Sequence, residues 1–358
     1  MKFASRDAPL KTYLWLTGQT DNIGDSVLRR PYADVLRTAS ALTVWAGDPA
    51  EGYVAGLGLR ESEISRSYSS WLANLWKDAL VGRAAFAFNP GEFTVTRKGF
   101  IMILPALAPI ILIRARRRPI IWAGAGVRAT RRGYTWPFRF IARSASVLTW
   151  REPSSAARIG AGAELAPDWA FGIDASGTPA ERSFLALSLR GDRPPPTVEW
   201  LQAVRSFAAR AGLTPLVVTQ VRRDEARSRE IASFLGCDIV GWETERHDSA
   251  ERRVRDVYSR SRVILSDRLH ALIIGATEGA LPLGWTSDAS PKIEHHLSTV
   301  GLESFSLAGQ ESLDALRTFG PGDLVLREEK TAYAMGRARD DLRSLRARIV
   351  ATFSNGGR

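Results

Sequence analysis

The sequence predicts an α/β protein of two open, Rossmann-like domains facing a crevice, with a long C-terminal helix. Three observations predict it. Short β-rich apolar runs alternate with helix-period segments along the chain, as parallel strands joined by helical crossovers require. The 358 residues exceed the roughly 250–300 at which a single core stops growing. A run of small and turn-forming residues, "FGIDASGTPAERS" (171–183), follows five strand candidates and precedes five more. The domains are therefore placed at 1–175 and 180–325, with 326–358 as a helix packing across their junction.

The strands of the first half are "TYLWLTG" (12–18), "ALTVWAG" (41–47), "AAFAFNP" (84–90), "IIWAGAG" (120–126) and "ASVLTWR" (145–151). Those of the second are "FLALSLR" (184–190), "TPLVVTQ" (214–220), "CDIVGW" (237–242), "RVILS" (262–266) and "ALPLGW" (280–285). Trp200, Val204, Phe207 and Ala211 recur at spacings of three and four, an amphipathic helix. Met335, Ala338, Leu342, Leu345, Ile349 and Phe353 draw one stripe along the terminal helix. In "GFIMILPALAPIILIRARRR" (99–118) the spacing predicts a buried helix broken at Pro105 and Pro109. Its apolar run is shorter than the ~20 residues a bilayer-spanning helix needs.

Charge is distributed unevenly. Between Phe93 and Arg151 there is no acidic residue, while Arg97, Lys98, Arg114, Arg116, Arg117, Arg118, Arg128, Arg131, Arg132, Arg139, Arg143 and Arg151 are basic. These account for the whole net charge of +11. Basic residues flanking aliphatic sequence suit an anionic membrane surface, and no nucleic-acid-binding signature accompanies them. With one cysteine, Cys237, and no signal-peptide h-region, the expected location is cytoplasmic, peripheral at the inner membrane face. No metal-ligand spacing and no cofactor fingerprint is present, so neither is expected.

Parallel α/β sheets bind ligands beyond the carboxyl ends of their strands, which selects the candidate site residues. "LTGQTDNIGDSVL" (16–28) runs from strand through a polar glycine loop, with Asn22, Gly24 and Asp25, into a helix whose free N–H groups suit an anion. "IIWAGAGVRATRRG" (120–133) offers a second glycine loop with Arg128 just beyond. "VLTWREPSS" places Arg151 at a strand end, Pro153 with Ser154 or Ser155 starts a helix, and Asp168 in "LAPDWAF" closes a turn. In the second half Ser188 and Arg190 end one strand, and Gln220, Arg222 and Asp224 end another. In "RVILSDRLHALIIGATEGALPLGW", Ser266 or Asp267 caps a helix beginning at Arg268 and brings Arg268 and His270 to the crevice. Arginine suits carboxylate and phosphate through its forked donors, and histidine suits proton transfer near neutral pH.

In order, "DNIGDSVL", "AGAGV", "WREPSS", "PDWAF", "LSLR", "TQVRRD", "SDRLHALIIGATEGALPLGW" and "SPKIEHHLSTVGLE" resemble the polysaccharide pyruvyltransferase family over residues 12–305. The resemblance implies a GT-B-like fold and transfer of pyruvate from phosphoenolpyruvate, as co-substrate, onto a sugar of a polysaccharide or lipid-linked glycan. It implies that Arg268 and His270 belong to the donor site, with Lys292 and Arg190 as further anion contacts. The expected roles are His270 as general acid, Arg268 as phosphate clamp, and Asp25 or Glu92 as base. Where relatives often have a glycine run after the third strand, this chain has "FAFNPGEF" (86–93). The same architecture also admits a glycosyltransferase using a nucleotide sugar, or a non-catalytic glycan- or membrane-binding protein.

Overall fold

The computed structural model describes residues 9–131, 133–177, 181–242, 246–286 and 291–355. The first sheet contains β1 (Lys11–Trp15), β2 (Ala41–Trp45), β3 (Ala84–Ala87), β4 (Gly91–Thr94), β5 (Ile120–Ala129), β6 (Val147–Trp150) and β7 (Glu164–Leu165). The second contains β8 (Phe184–Ser188), β9 (Thr214–Val218), β10 (Asp238–Val240), β11 (Ser261–Ser266), β12 (Leu281–Thr286) and β13 (Ser306–Ala308). The ten expected strands are all present. β4, β7 and β13 carried no signal, since each has only two to four residues, and β4 starts at a glycine with φ +81°.

Every pairing within the sheets is parallel. The first sheet runs β2-β1-β3-β5-β6-β7, and the second β10-β9-β8-β11-β12-β13. The ten-residue β5 is shared along one edge: its start pairs with β3 and its end, from Ala125, with β4. Helices on both faces explain why β3 and β12 are buried at every position and read as continuous apolar runs. Each strand order reverses once, between β1 and β3 in the first sheet and between β8 and β11 in the second. Ligands bind at such switch points.

The halves interlock along the helix Ile23–Ala39. Its N-cap Asn22 accepts from Gly24 N at 3.1 Å and forms an antiparallel bridge to Val221 of the other half. Arg222 N donates to Asp21 O at 2.8 Å. His247, buried, donates through Nδ1 to Thr20 O at 2.9 Å, and its Nε2 stands 2.7 Å from Ser26 Oγ. The terminal helix Pro321–Asn355 buries its predicted stripe. It meets Arg262 through Glu328 at 2.7 Å and Glu164 through Arg348 at 2.6 Å, touching both halves.

The prolines do not break the helix after β4. Arg97–Ala115 is continuous through Pro105 and Pro109, each of which removes one donor from a helix whose other turns hold it. At 19 residues it is long and apolar enough to cross a membrane by length and composition, but 33% of its most apolar window is buried within the protein.

Candidate active site

Between the two switch points lies a cavity of about 320 Å³. β1 leads into Thr17, Gly18 and Gln19 on its wall, and the next helix adds Asn22, Asp25 and Arg29. The β3–β4 connection adds Asn89, β4 adds Glu92 and Phe93, and the ends of β5 and β6 supply Arg128 and Arg151. The second half contributes Arg190, Gln220, Arg223, Arg268, Leu269 and His270. Of the residues expected from the sequence, His270, Arg268, Arg190, Gln220, Arg151, Asn22, Asp25 and Glu92 share this wall. The Lys292 side chain lies outside the described residues.

Six arginines and two carboxylates line the cavity, and four of the arginines also pair with aspartates outside the lining, Arg151 with Asp168, Arg190 with Asp192, Arg223 with Asp21 and Arg268 with Asp224. Several are held rigidly. Arg29, 1% exposed, donates to Asn89 Oδ1 at 3.0 Å and to Asp25 O at 2.8 Å, and pairs with the Asp25 carboxylate at 3.2 Å. Burial works against its charge, but Asp25 outweighs burial and raises its pKa. Arg223 reaches across to Asp21 at 2.8 Å and Gln19 Oε1 at 2.7 Å. Arg190 binds Asp192 with two donors at 2.8 and 2.6 Å, and those hydrogen bonds hold the Asp192 carboxyl well below the usual range.

Two buried Arg–Asp pairs stand opposite each other. Arg268 donates Nε and Nη2 to Asp224 at 2.7 and 2.5 Å. Arg151 donates Nη1 to Asp168 Oδ2 at 2.5 Å, while its buried Nε has no partner. Asp168 does more than close a turn. Its Oδ1 caps the short helical turn Trp169–Gly172 through Ala170 N at 2.9 Å, and its Oδ2 lies 3.5 Å from His270 Nε2. Burial alone would raise its pKa. The charges of Arg151 and His270 instead hold this carboxyl far below its ordinary value.

Local backbone explains why His270 sits there. The helix starts at Leu269, one residue later than expected, with Arg268 as N-cap. Ser266 Oγ accepts from Arg268 N at 2.9 Å, while Asp267 turns away and accepts from Arg190 N at 2.8 Å. His270 then packs on Gly24, where an added Cβ would lie 2.4 Å from the imidazole. Gly126 leaves room in the same way for Arg151, whose Nε would lie 2.6 Å from an added Cβ. Ser155 is buried in the helix Pro153–Ile159, accepting from Val127 N at 2.8 Å and donating to Glu152 at 3.1 Å.

Asp25 accepts from Gln19 N at 2.6 Å and pairs with Arg29. Glu92 stands 3.8 Å from both Arg128 and Arg151, at ion-pair rather than hydrogen-bond distance. Sequence reasoning missed Arg29, Asn89 and Arg223, and placed Asp168 at a turn and Asp224 beyond a strand end without their arginine partners. Only Arg29 had a local signal, its i, i+4 spacing from Asp25 on one helix. Among the described residues no group of three or more His, Cys, Asp and Glu is placed to hold a metal.

Two doubly wound domains with an arginine-lined cavity between their strand ends define a GT-B-like protein. Solved structures of this class are similar to it in fold. UDP-GlcNAc 2-epimerase from Neisseria meningitidis, bound to UDP-GlcNAc, matches at TM-score 0.54 and 11% identity over 94% of this chain and 99% of that one. Anabaena Alr3699/HepE in complex with UDP matches at 0.54 and 13% identity, over 97% and 98%. S. aureus MnaA with UDP matches at 0.52 and 12%, over 92% and 91%. At these identities the likeness is one of fold. No curated protein matches the sequence. The sequence model of the polysaccharide pyruvyl transferase family matches residues 59–280, more than half the chain, and the protein belongs to that family. The match takes in Arg151, Arg190, Gln220, Arg268 and His270, and leaves out the "DNIGD" loop and Lys292.

Proposed function

We propose that this protein transfers the pyruvyl group of phosphoenolpyruvate onto two hydroxyls of one sugar in a polysaccharide or lipid-linked glycan, as a ketal, releasing phosphate. The observation that carries it is a set of unmatched groups on one wall. Arg151 Nε, both amide atoms of Gln220, and His270 Nε2 are buried without hydrogen-bond partners, in a cavity with six arginines. Buried polar groups are normally satisfied, and a small donor bearing a carboxylate and a phosphate would accept from the N–H groups among these, Arg151 Nε, Gln220 Nε2 and a protonated His270 Nε2. Both carboxylates on the wall, Asp25 and Glu92, come from the first half. Among the described residues, the second-half lining therefore includes no acid to hold the ribose of a nucleotide sugar.

The chemistry needs a proton at C3 of the enol, and His270 is assigned to deliver it, turning the methylene into a methyl group. Asp168, ionised 3.5 Å away, places a negative charge beside the imidazole as C2 becomes electron-poor. A sugar oxygen bonds to C2 and loses its proton to a base, the role assigned to Asp25 or Glu92. A second sugar oxygen then bonds to C2 as the C2–O bond to phosphate breaks, and the phosphate leaves with that electron pair and takes up the proton of this second hydroxyl. Arg268, Arg151 and Arg190 would hold the donor's charges throughout. The test is phosphate release from phosphoenolpyruvate across a panel of glycan acceptors in D₂O. The expected result is acceptor-dependent release with one deuterium in the product methyl group. Nucleotide release from a nucleotide sugar, with phosphoenolpyruvate inert, would overturn the reading.

A further inference from the structure

The helix Arg97–Ala115 is apolar on both of its faces. One face, with Ile103, Ala106, Leu107, Ile110 and Ile113, is buried against the first domain. The other leaves Ile101 54%, Leu104 36% and Ile111 49% exposed, with Pro105 and Ala108 exposed between them. Positions 101, 104, 105, 108 and 111 lie along one side of a helix, so this is a continuous stripe. Trp136 extends it at 52% exposure, in ring contact with Phe100, which also meets Tyr134 at 4.9 Å.

The charges around the stripe identify its partner. Arg97 and Lys98 are exposed in the first turn, and no acid is there. Cations at a helix N-terminus oppose the macrodipole, so these two residues cost the helix stability and are not there to support it. Exposed Arg114, Arg116 and Arg117 close the other end, and Arg131 lies over the Tyr134 ring at 5.7 Å. An apolar stripe with cations at both ends and aromatic rings beside it complements an anionic bilayer surface. Acyl chains meet the stripe, and lipid phosphates meet the arginines.

We infer that this face seats the protein on an anionic phospholipid membrane, with the helix lying in the interfacial plane. It cannot span, because its other face is packed on the protein's own sheet. The placement bears on the acceptor. Helix residue Arg97 follows Phe93 of the cavity wall by four positions, and Arg131 follows Arg128 by three, so the seated face adjoins the cavity's first-domain side within ~15 Å of chain. A glycan carried on a membrane lipid would enter from there. The inference stands on the helix alone and does not rest on the identity of the donor.

The test is co-sedimentation of the full chain with vesicles of phosphatidylcholine alone or with 30% phosphatidylglycerol, a composition of about one anionic lipid in three, without any substrate. Two variants run alongside: Ile101→Ser/Leu104→Ser/Ile111→Ser, and Lys98→Gln/Arg114→Gln, each checked for an unchanged melting temperature. The expected result is binding to the anionic vesicles that weakens with salt, on the order of 10-fold weaker in either variant. Wild-type protein left in the supernatant would overturn the inference. So would an apolar variant that binds as wild type, or one that converts a dimer to a monomer while vesicle binding is unchanged.

Discussion

Arg151 and Arg268 each stand beyond a strand end, one in each half, and each is bound to a buried aspartate of its own half. They differ in what is left over. Arg268 gives two donors to Asp224, whose Oδ1 also receives Gly191 N at 2.8 Å. This is a closed arrangement. Arg151 gives one donor to Asp168, leaves Nε unmatched, and shares that aspartate's surroundings with His270 from the opposite half. One pair completes itself within a domain, while the other is completed only when the domains meet. The comparison teaches that chemistry is assembled at the junction, and that Arg268 alone does not define the site.

Removing the histidine should have the largest effect. His270→Ala is expected to lower turnover by about 10²–10⁴-fold while the donor still binds, as single-turnover kinetics with a parallel binding titration would show. Full activity in this variant would remove His270 from the mechanism.

Exchanging the two aspartates sharpens the comparison itself. Asp168→Ala and Asp224→Ala each leave a buried guanidinium uncompensated, a loss of about 3–5 kcal/mol in urea unfolding. Their kinetics should separate. The first should depress turnover at saturating donor, since it strips His270 of its neighbour, and the second should chiefly raise the donor's dissociation constant. Identical kinetic signatures would dissolve the distinction between the open and the closed pair.

A smaller change probes the contact between halves. Gly24→Ala puts a methyl where His270 now packs, and should cost about 1–3 kcal/mol together with part of the turnover. A variant indistinguishable from wild type in both would mean that the imidazole moves freely.

The smallest effect concerns pH. Burial pushes the Asp267 carboxyl up from 3.8 to about 6, against the opposing Arg190 N–H and the charges of Arg268 and Arg190. The folded state then keeps a proton that the unfolded state has released, so stability falls as pH rises through that window and levels off above it. Discounted for solvent, the loss is about 1–2 kcal/mol. Asp267→Asn should flatten the curve, and an unaltered slope in denaturation across pH 4–7 would assign it to another group.

What the sequence made legible follows from the range of the interactions. Arg151, Arg190, Gln220, Arg268 and His270 could be found because each ends a β-rich run, and strand ends face the crevice in any parallel sheet. Asp168, read as a turn residue, and Asp224, read as a strand-end residue, could not be matched to their arginines. Their partners lie 17 and 44 residues from them, and no local pattern marks a carboxylate that pairs at such distances. The helix Arg97–Ala115 was misread for a different reason. Proline weighs heavily in a local reading, whereas packing of the buried face carries the helix through two of them. β4 was hidden by a loop-like composition, although its Glu92 and Phe93 had been noticed as a departure from the family pattern.

The most direct test of the central claim is a fluorescence titration of the purified protein, whose eleven tryptophans include Trp150 beside Arg151. Phosphoenolpyruvate and a panel of nucleotide sugars would be titrated separately, with Arg268→Ala as the control. The account predicts saturable binding of phosphoenolpyruvate that the variant weakens, and no saturable response to the nucleotide sugars. Saturation by a nucleotide sugar alone would contradict it.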